Sequence, residues 1–313
     1  MNTVIRPLHA ADVPLADRIF RQAFAQHLGL PDPQAFSGDA AVIATRWRAD
    51  PDGAFGAYSG DTLVGSSFAT KRGSFGFVGP VSVHPDLWNQ GVANQLVEHT
   101  VAHLEGTVRQ SGLFTFPNSA KHIALYQKFG FWAQYLTPVM EKKPLHQAGA
   151  MDGWSRYSLL PPAERAACLA QCAELTGGIY PGLNLRSEIQ SIADQGLGDT
   201  ILMHDAQGLA GFACCHTGAG SEAGSGRTFV KFGAVRADNN APELFDRLLD
   251  GCEAAAAAAG CDTIVAGVNT ARHQAYKQMI GRGFRTVQIG VAMLRPHQPA
   301  FNRPDCFVID DLR

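Results

Sequence analysis

The chain has 313 residues, 46% hydrophobic and 17% charged, which is length and apolar content enough for two compact domains with cores of their own. With 26 basic and 28 acidic side chains, a formal charge of -2 and no basic run, it offers no general attraction to nucleic acid or to an anionic membrane. The first residues lack a basic region followed by an apolar core, and no uninterrupted apolar run could span a bilayer, so the expectation is a soluble cytoplasmic protein.

Thr3 to Leu8 reads as a strand. Ala11-Asp12-Val13-Pro14 opens a helix whose apolar face is Leu15, Ile19, Phe20 and Phe24, and Asp39 to Arg48 suggests a second helix. Gly53 to Ser59 and Thr62 to Lys71 are apolar segments separated by Gly60-Asp61, a hairpin signal. Phe75 to Val83 reads as a buried strand, stopped by Pro85, which has no amide hydrogen for a ladder. Val92, Leu96, Val97, Val101 and Leu104 then share one face of a helix that begins near Gly91. Leu113 to Pro117 predicts a fifth strand, Ala120 to Phe129 a helix and Phe131 to Met140 a last strand.

The Phe75 strand, the turn and the Gly91 helix form a phosphate cradle. A glycine and a small residue at the helix start let a ligand approach the backbone, and the first amide N–H groups point outward with the positive end of the helix dipole. Residues 90–95 carry neither the three-glycine dinucleotide fingerprint nor a Gly-Lys-Ser/Thr loop, so both of those nucleotide readings fall away. Val83-His84-Pro85 followed by Gly91-Val92-Ala93 resembles the acyl-CoA pyrophosphate loop of the GNAT superfamily of N-acyltransferases, with Trp88 where that family usually has Arg or Gln. Ile123-Ala124-Leu125-Tyr126-Gln127-Lys128-Phe129-Gly130-Phe131 follows the same family's Ala-x-x-Leu-Tyr-x-x-x-Gly-Phe signature. The element order over residues 3 to 143 is similar to the GNAT fold as well.

Pro144 to Gly153 reads as a linker, after which the pattern repeats. Arg156 to Leu160 predicts a strand, Ala163 to Leu175 and Leu185 to Asp194 helices, and Thr200 to His204, Leu209 to His216 and Thr228 to Val235 strands. Asn118-Ser119-Ala120-Lys121-His122 recurs as Asn269-Thr270-Ala271-Arg272-His273, and each copy leads to a Gly-Phe pair, Gly130-Phe131 and Gly283-Phe284. His122 and His273 read as helix anchors. The expected fold is therefore α/β (α+β), two tandem GNAT-like domains, each a mixed, mostly antiparallel sheet flanked by helices, over 1–146 and 152–313. In place of Gly91-Val92-Ala93 the second half has Asp238-Asn239-Asn240-Ala241-Pro242-Glu243. It lacks the glycine, Pro242 removes an amide donor, and Asp238 and Glu243 would repel a pyrophosphate. The second half is expected to be degenerate, shaping the acceptor pocket or stabilising the active half.

The resemblance implies an N-acetyltransferase that uses acetyl-CoA as co-substrate and a primary amine, most simply of a small molecule, as acceptor. The implied donor site is Val81, Ser82, Val83, Asn89, Gln90, Gly91, Val92, Ala93, Asn94, Asn118 and Lys128. The pantetheine arm would pair with the backbone of Val81 and Val83, and Tyr126 would assist departure of the thiolate. An alkyl ammonium near pKa ~10 must lose a proton before attack, and His84, which titrates near neutrality, is a candidate base. His99 and His103 stand at i, i+4, but no third ligand accompanies them and no metal is expected. The seven cysteines, all after residue 167, are odd in number and form no Cys-x-x-Cys pair, so they read as reduced core residues. The alternative is a non-catalytic acyl-CoA-binding or interaction module, to which Trp88 lends weight.

Overall fold

A computed structural model describes residues 3–144 and 153–313. Most of the expected linker, 145–152, lies outside the described residues. The first half runs β1 (Thr3–Pro7), α1 (Val13–Leu28), α2 (Val42–Ala49), β2 (Ala54–Ser59), β3 (Thr62–Arg72), β4 (Phe75–Val83), α3 (Val92–Leu104), β5 (Gln110–Thr115), α4 (Ala120–Gln127) and β6 (Trp132–Lys142). The second half repeats that order as β7 (Trp154–Arg156), α5 (Pro162–Ile179), α6 (Arg186–Gln195), β8 (Gly198–Asp205), β9 (Gly208–Gly218), β10 (Gly224–Val235), α7 (Ala241–Ala258), β11 (Thr263–Gly267), α8 (His273–Gly281) and β12 (Arg285–Arg295), and adds a short β13 (Val308–Ile309). The strand expected over Arg156 to Leu160 ends at Arg156. A 3-10 turn occupies Tyr157–Leu159, with Tyr157 buried.

The two halves share one sheet of 13 strands, twelve of them ordered β1-β2-β3-β4-β5-β12-β6-β11-β10-β9-β8-β7, with β13 off that path and paired to β10. Each half gives up its last strand. β12 pairs with β5 and β6 pairs with β11, while β6 and β12 lie antiparallel at the centre. Gly290 of β12 has no Cβ to collide with the Phe114 ring of β5, which seals that exchanged seam.

Apolar periodicity explains the layers. Ile19, Phe20 and Ile43 of the first two helices pack with Tyr58, Leu63 and Phe68, whereas Val97, Val101 and Leu104 of α3 pack with Val78, Leu113 and Tyr126. Alternation along β4 sends Val78 into that second cluster and Phe75 and Phe77 into another, which they share with Leu169, Ile189, Phe212 and Phe232 of the second half. Each fully buried Phe contributes about 1.5–3 kcal/mol, so this shared cluster binds the halves firmly. All seven cysteines are free and buried.

A buried chain of charges also crosses between the halves. Arg46 pairs with Glu222 at 2.9 Å, and Lys231 bridges Glu222 and Glu188 at 2.9 Å each. Arg72 then pairs with Asp310 at 3.1 Å. Burial opposes ionisation of Glu222, yet Arg46 and Lys231 hold its carboxyl well below the usual carboxylate range.

Candidate active site

β4 and β5 pair in parallel only over Phe75–Phe77 and Gln110–Gly112. Beyond Phe77 they diverge, and a cavity of about 530 Å³ opens between them, walled by β4, the 88–94 turn and α4. Its size suits the narrow arm of a ligand that enters from the turn. Its lining residues fall between Ala23 and Lys128, so no described residue of the second half lines it. That half acts from behind. Arg46, paired with Glu222, donates from Nη1 to the Gly79 carbonyl at 3.0 Å, at the point where β4 bulges away from β3 between Val78 and Val81.

One edge of the cavity is open backbone. The His84 N–H donates to the Val64 carbonyl of β3 at 2.8 Å, so by strand alternation Ser82 also faces β3 while the backbone of Val81 and Val83 faces the cavity. The Val83 carbonyl is already engaged, accepting a hydrogen bond from Trp88 Nε1 at 2.9 Å.

The helix-start turn takes its shape from two left-handed residues, Asn89 at φ 65° and Gly91 at φ 85°. Gly91 is required by its φ rather than by crowding, because an added Cβ would meet nothing within 4 Å. The N–H groups of Asn94 and Gln95 turn back to the Gly91 carbonyl at 3.1 and 3.3 Å. Those of Val92 and Ala93 precede the first helical bond and face outward.

Val81, Ser82, Val83, Asn89, Gly91, Val92, Ala93, Asn94, Tyr126 and Lys128 all line the cavity. Gln90, Asn118 and His84 do not. Gln90 is exposed and donates to the Asp86 carbonyl at 3.3 Å, Asn118 is exposed, and Ser119 lines the wall beside it. The His84 imidazole accepts from the Asp86 N–H at 3.4 Å, outside the lining. Tyr126 is 9% exposed, its hydroxyl has no hydrogen-bond partner among the described residues, and burial pushes its pKa up to about 12.

Two histidines enter the lining that sequence reasoning did not place there. His27, in the last turn of α1, lies with its ring centre 4.7 Å from that of His122 in the first turn of α4, the two rings tilted by 38°. Burial, then His27, then Lys121 push His122 down to about 4, and burial followed by Lys121 lowers His27. Both shifts favour the neutral imidazole. The repeated pentapeptide therefore has two outcomes, because His273 is exposed while His122 faces the cavity. His27 carries no local motif; it reaches the site only because α1 ends beside the β5–α4 corner. His99 and His103 pack edge-on against Phe55, away from the lining.

Strands β10 and β11 of the second half also pair in parallel, over Arg227–Val230 and Thr263–Ala266, and then diverge. There the gap is filled by the chain's own end. β13 pairs antiparallel with Gly233 and Ala234 of β10, and Asp310 bridges to Val268 beyond β11. Arg272, fully buried, donates from Nη1 to the Val308 carbonyl and from Nη2 to the Asp310 carbonyl, both at 2.6 Å. This strand has no counterpart among the elements expected from the sequence.

Residues 19–131 match the acetyltransferase (GNAT) family. Similar solved structures include a Pyrococcus horikoshii protein assigned as an acetyltransferase, 15% identical over 99% of this chain and 95% of that one, with a TM-score of 0.70. A GCN5-related N-acetyltransferase from Sphaerobacter thermophilus is 16% identical over 94% of this chain and 95% of its own, with a TM-score of 0.62. Another, from Anabaena variabilis, is 15% identical over 96% of this chain and 74% of that one, with a TM-score of 0.55. No curated protein matches the sequence. The family match thus lies within the first half, and the class of reaction of the matched family is acyl transfer from an acyl-CoA. The whole chain is a tandem of two GNAT folds that have exchanged their last strands. Among the described residues no helix is long and apolar enough to cross a membrane.

Proposed function

We propose that the first half, within 1–146, transfers an acetyl group from acetyl-CoA to the primary amine of a small molecule, and that the second half, within 152–313, binds no donor. The observation that carries the first part is the cavity itself. Strand backbone at Val81 and Val83, of which the Val83 carbonyl alone is taken up by Trp88, runs from the outward amides of Val92 and Ala93 toward a tyrosine hydroxyl without a partner among the described residues. In this reading the turn from Asn89 to Asn94, with Lys128, holds the pyrophosphate, and the β4 edge orients the thioester, so that attack by a neutral amine needs positioning and no covalent enzyme intermediate. Among the described residues the lining contains no Asp or Glu, which fits a polyanionic donor better than a polycationic acceptor.

Tyr126 acts as a hydrogen-bond donor to the departing sulfur. With its pKa at about 12, full proton transfer to a thiolate near ~8.5 is uphill by about 5 kcal/mol, whereas donation of a hydrogen bond is not. His84 lies off the lining, and we assign it no part in proton transfer. The second half is read as donor-free because Pro242 stands in the first turn of α7, acids flank that turn, and β13 fills the divergence.

The test is Tyr126→Phe, assayed by thiol release with an amine found by screening. A fall in kcat of about 100-fold, with acetyl-CoA affinity unchanged within twofold, is expected for loss of a donor that acts only in the transition state. Unaltered turnover would remove Tyr126 from the mechanism, and failure to find any acceptor while acetyl-CoA binds would favour the non-catalytic binding module.

A further inference from the structure

Two lining side chains carry a full positive charge at neutral pH, Lys121 and Lys128, both on or beside α4 and two turns apart. Both are directed across the cavity at the opposite wall. Lys128 donates to Asn94 Oδ1 at 3.3 Å, on the first turn of α3. The Lys121 ammonium lies 5.5 Å from the centre of the Trp88 ring, at the head of the cradle turn. Among the described residues Lys121 has no carboxylate partner, and a cation resting on a half-buried indole is held by only about 0.5–2 kcal/mol. Its ammonium is free to leave the ring for a stronger anion. The turn itself brings amides and the side chains of Asn89 and Asn94 to a pyrophosphate, but residues 85–94 contain no Lys or Arg.

The second half offers an internal precedent. In the repeated pentapeptide the residue matching Lys121 is Arg272, and Arg272 reaches into its own cleft to grip the segment lying there by two carbonyl oxygens. The two are offset by their helices, since Lys121 is inside the first turn of α4 and Arg272 just precedes α8. Each is nevertheless the basic residue that the strand-to-helix corner extends toward whatever occupies the divergence.

We infer that Lys121 is a donor-binding residue that swings from Trp88 onto the pyrophosphate of acyl-CoA, closing the cavity from the α4 side and supplying the charge that the cradle turn lacks. This rests on the acyl-CoA reading above and adds to it a contact from the opposite wall. Selectivity follows: Lys121 should discriminate donors by their phosphates and be indifferent to the thioester arm.

The experiment is titration of the full chain, by intrinsic fluorescence, with acetyl-CoA and with acetyl-pantetheine, which has the same arm and no phosphate. Lys121→Met should raise the acetyl-CoA Kd about tenfold and flatten its salt dependence, leave acetyl-pantetheine within twofold, and be rescued by Lys121→Arg. An acetyl-CoA Kd within twofold of the parent, or equal weakening of both donors, would overturn the inference while leaving the acyl-CoA reading in place. Failure of the parent chain to bind acetyl-CoA would instead sink that reading and the inference with it.

Discussion

The two divergent strand pairs, β4/β5 and β10/β11, are the same device with two different fates. Strands that separate leave backbone donors and acceptors facing the gap, and buried ones must find partners. In the first half the gap is a cavity with a glycine-led helix start and two lysines at its wall. In the second it is occupied by Val308–Asp310, held by Arg272, and its helix start carries Pro242. The comparison teaches that the same divergence of strands need not leave a hole: in the second half an inward-facing peptide lies against the strand edge that stands open in the first.

The sharpest way to break this comparison is to remove the grip on the tail. Arg272→Met leaves two buried carbonyls without donors and deprives Asp310 of a cationic neighbour, which should cost about 3–5 kcal/mol in urea denaturation. A loss below about 1 kcal/mol would mean that the tail is not integral to the second core. Next in size is the contrast between the helix starts. Gly91→Glu puts a side chain and a negative charge at a left-handed position in the cavity wall and should weaken acetyl-CoA at least 100-fold, about 2.7 kcal/mol, whereas Asn240→Glu at the exposed start of α7 should leave it unchanged. Equal effects would mean that the second half binds donor after all.

The smallest effect separates the paired histidines. His122 has its pKa lowered to about 4 in the fold, so between about 6.5 and 4 the unfolded chain binds a proton that the native chain does not. Stability is therefore full above about pH 6.5 and declines as pH falls toward 4, by about 1–2 kcal/mol once partial exposure is allowed for. His122→Gln should flatten that decline in thermal melts and His273→Gln should not. An unmoved profile in His122→Gln would show that the imidazole is solvated in the native state.

Local pattern made much of this legible. Apolar spacing found the elements of the first half, and the Gly91 turn and Tyr126 were read from motifs whose residues are near one another in sequence. What escaped notice is non-local. β6 and β12 have the same alternation whether they pair within their own half or across, so no pattern could reveal the exchange. His27 joins the site from a helix that ends more than ninety residues before His122, and Lys121 and Trp88 meet only because α4 faces the cradle turn. β13 is two residues long, too short for any period to register. At Tyr157, apolar content suggested a strand where a 3-10 turn that buries Tyr157 alone serves equally well.

The exchanged strands make this single chain the equivalent of a domain-swapped dimer whose two subunits are covalently joined. Cutting the chain between its halves would strip β5 of the strand beside it and leave an exposed edge on each fragment, so neither piece should persist as a soluble monomer. Mixed together, the fragments should recover the fold as a complex whose formation depends on concentration, a dependence that the intact chain escapes through the high effective concentration of its own second half.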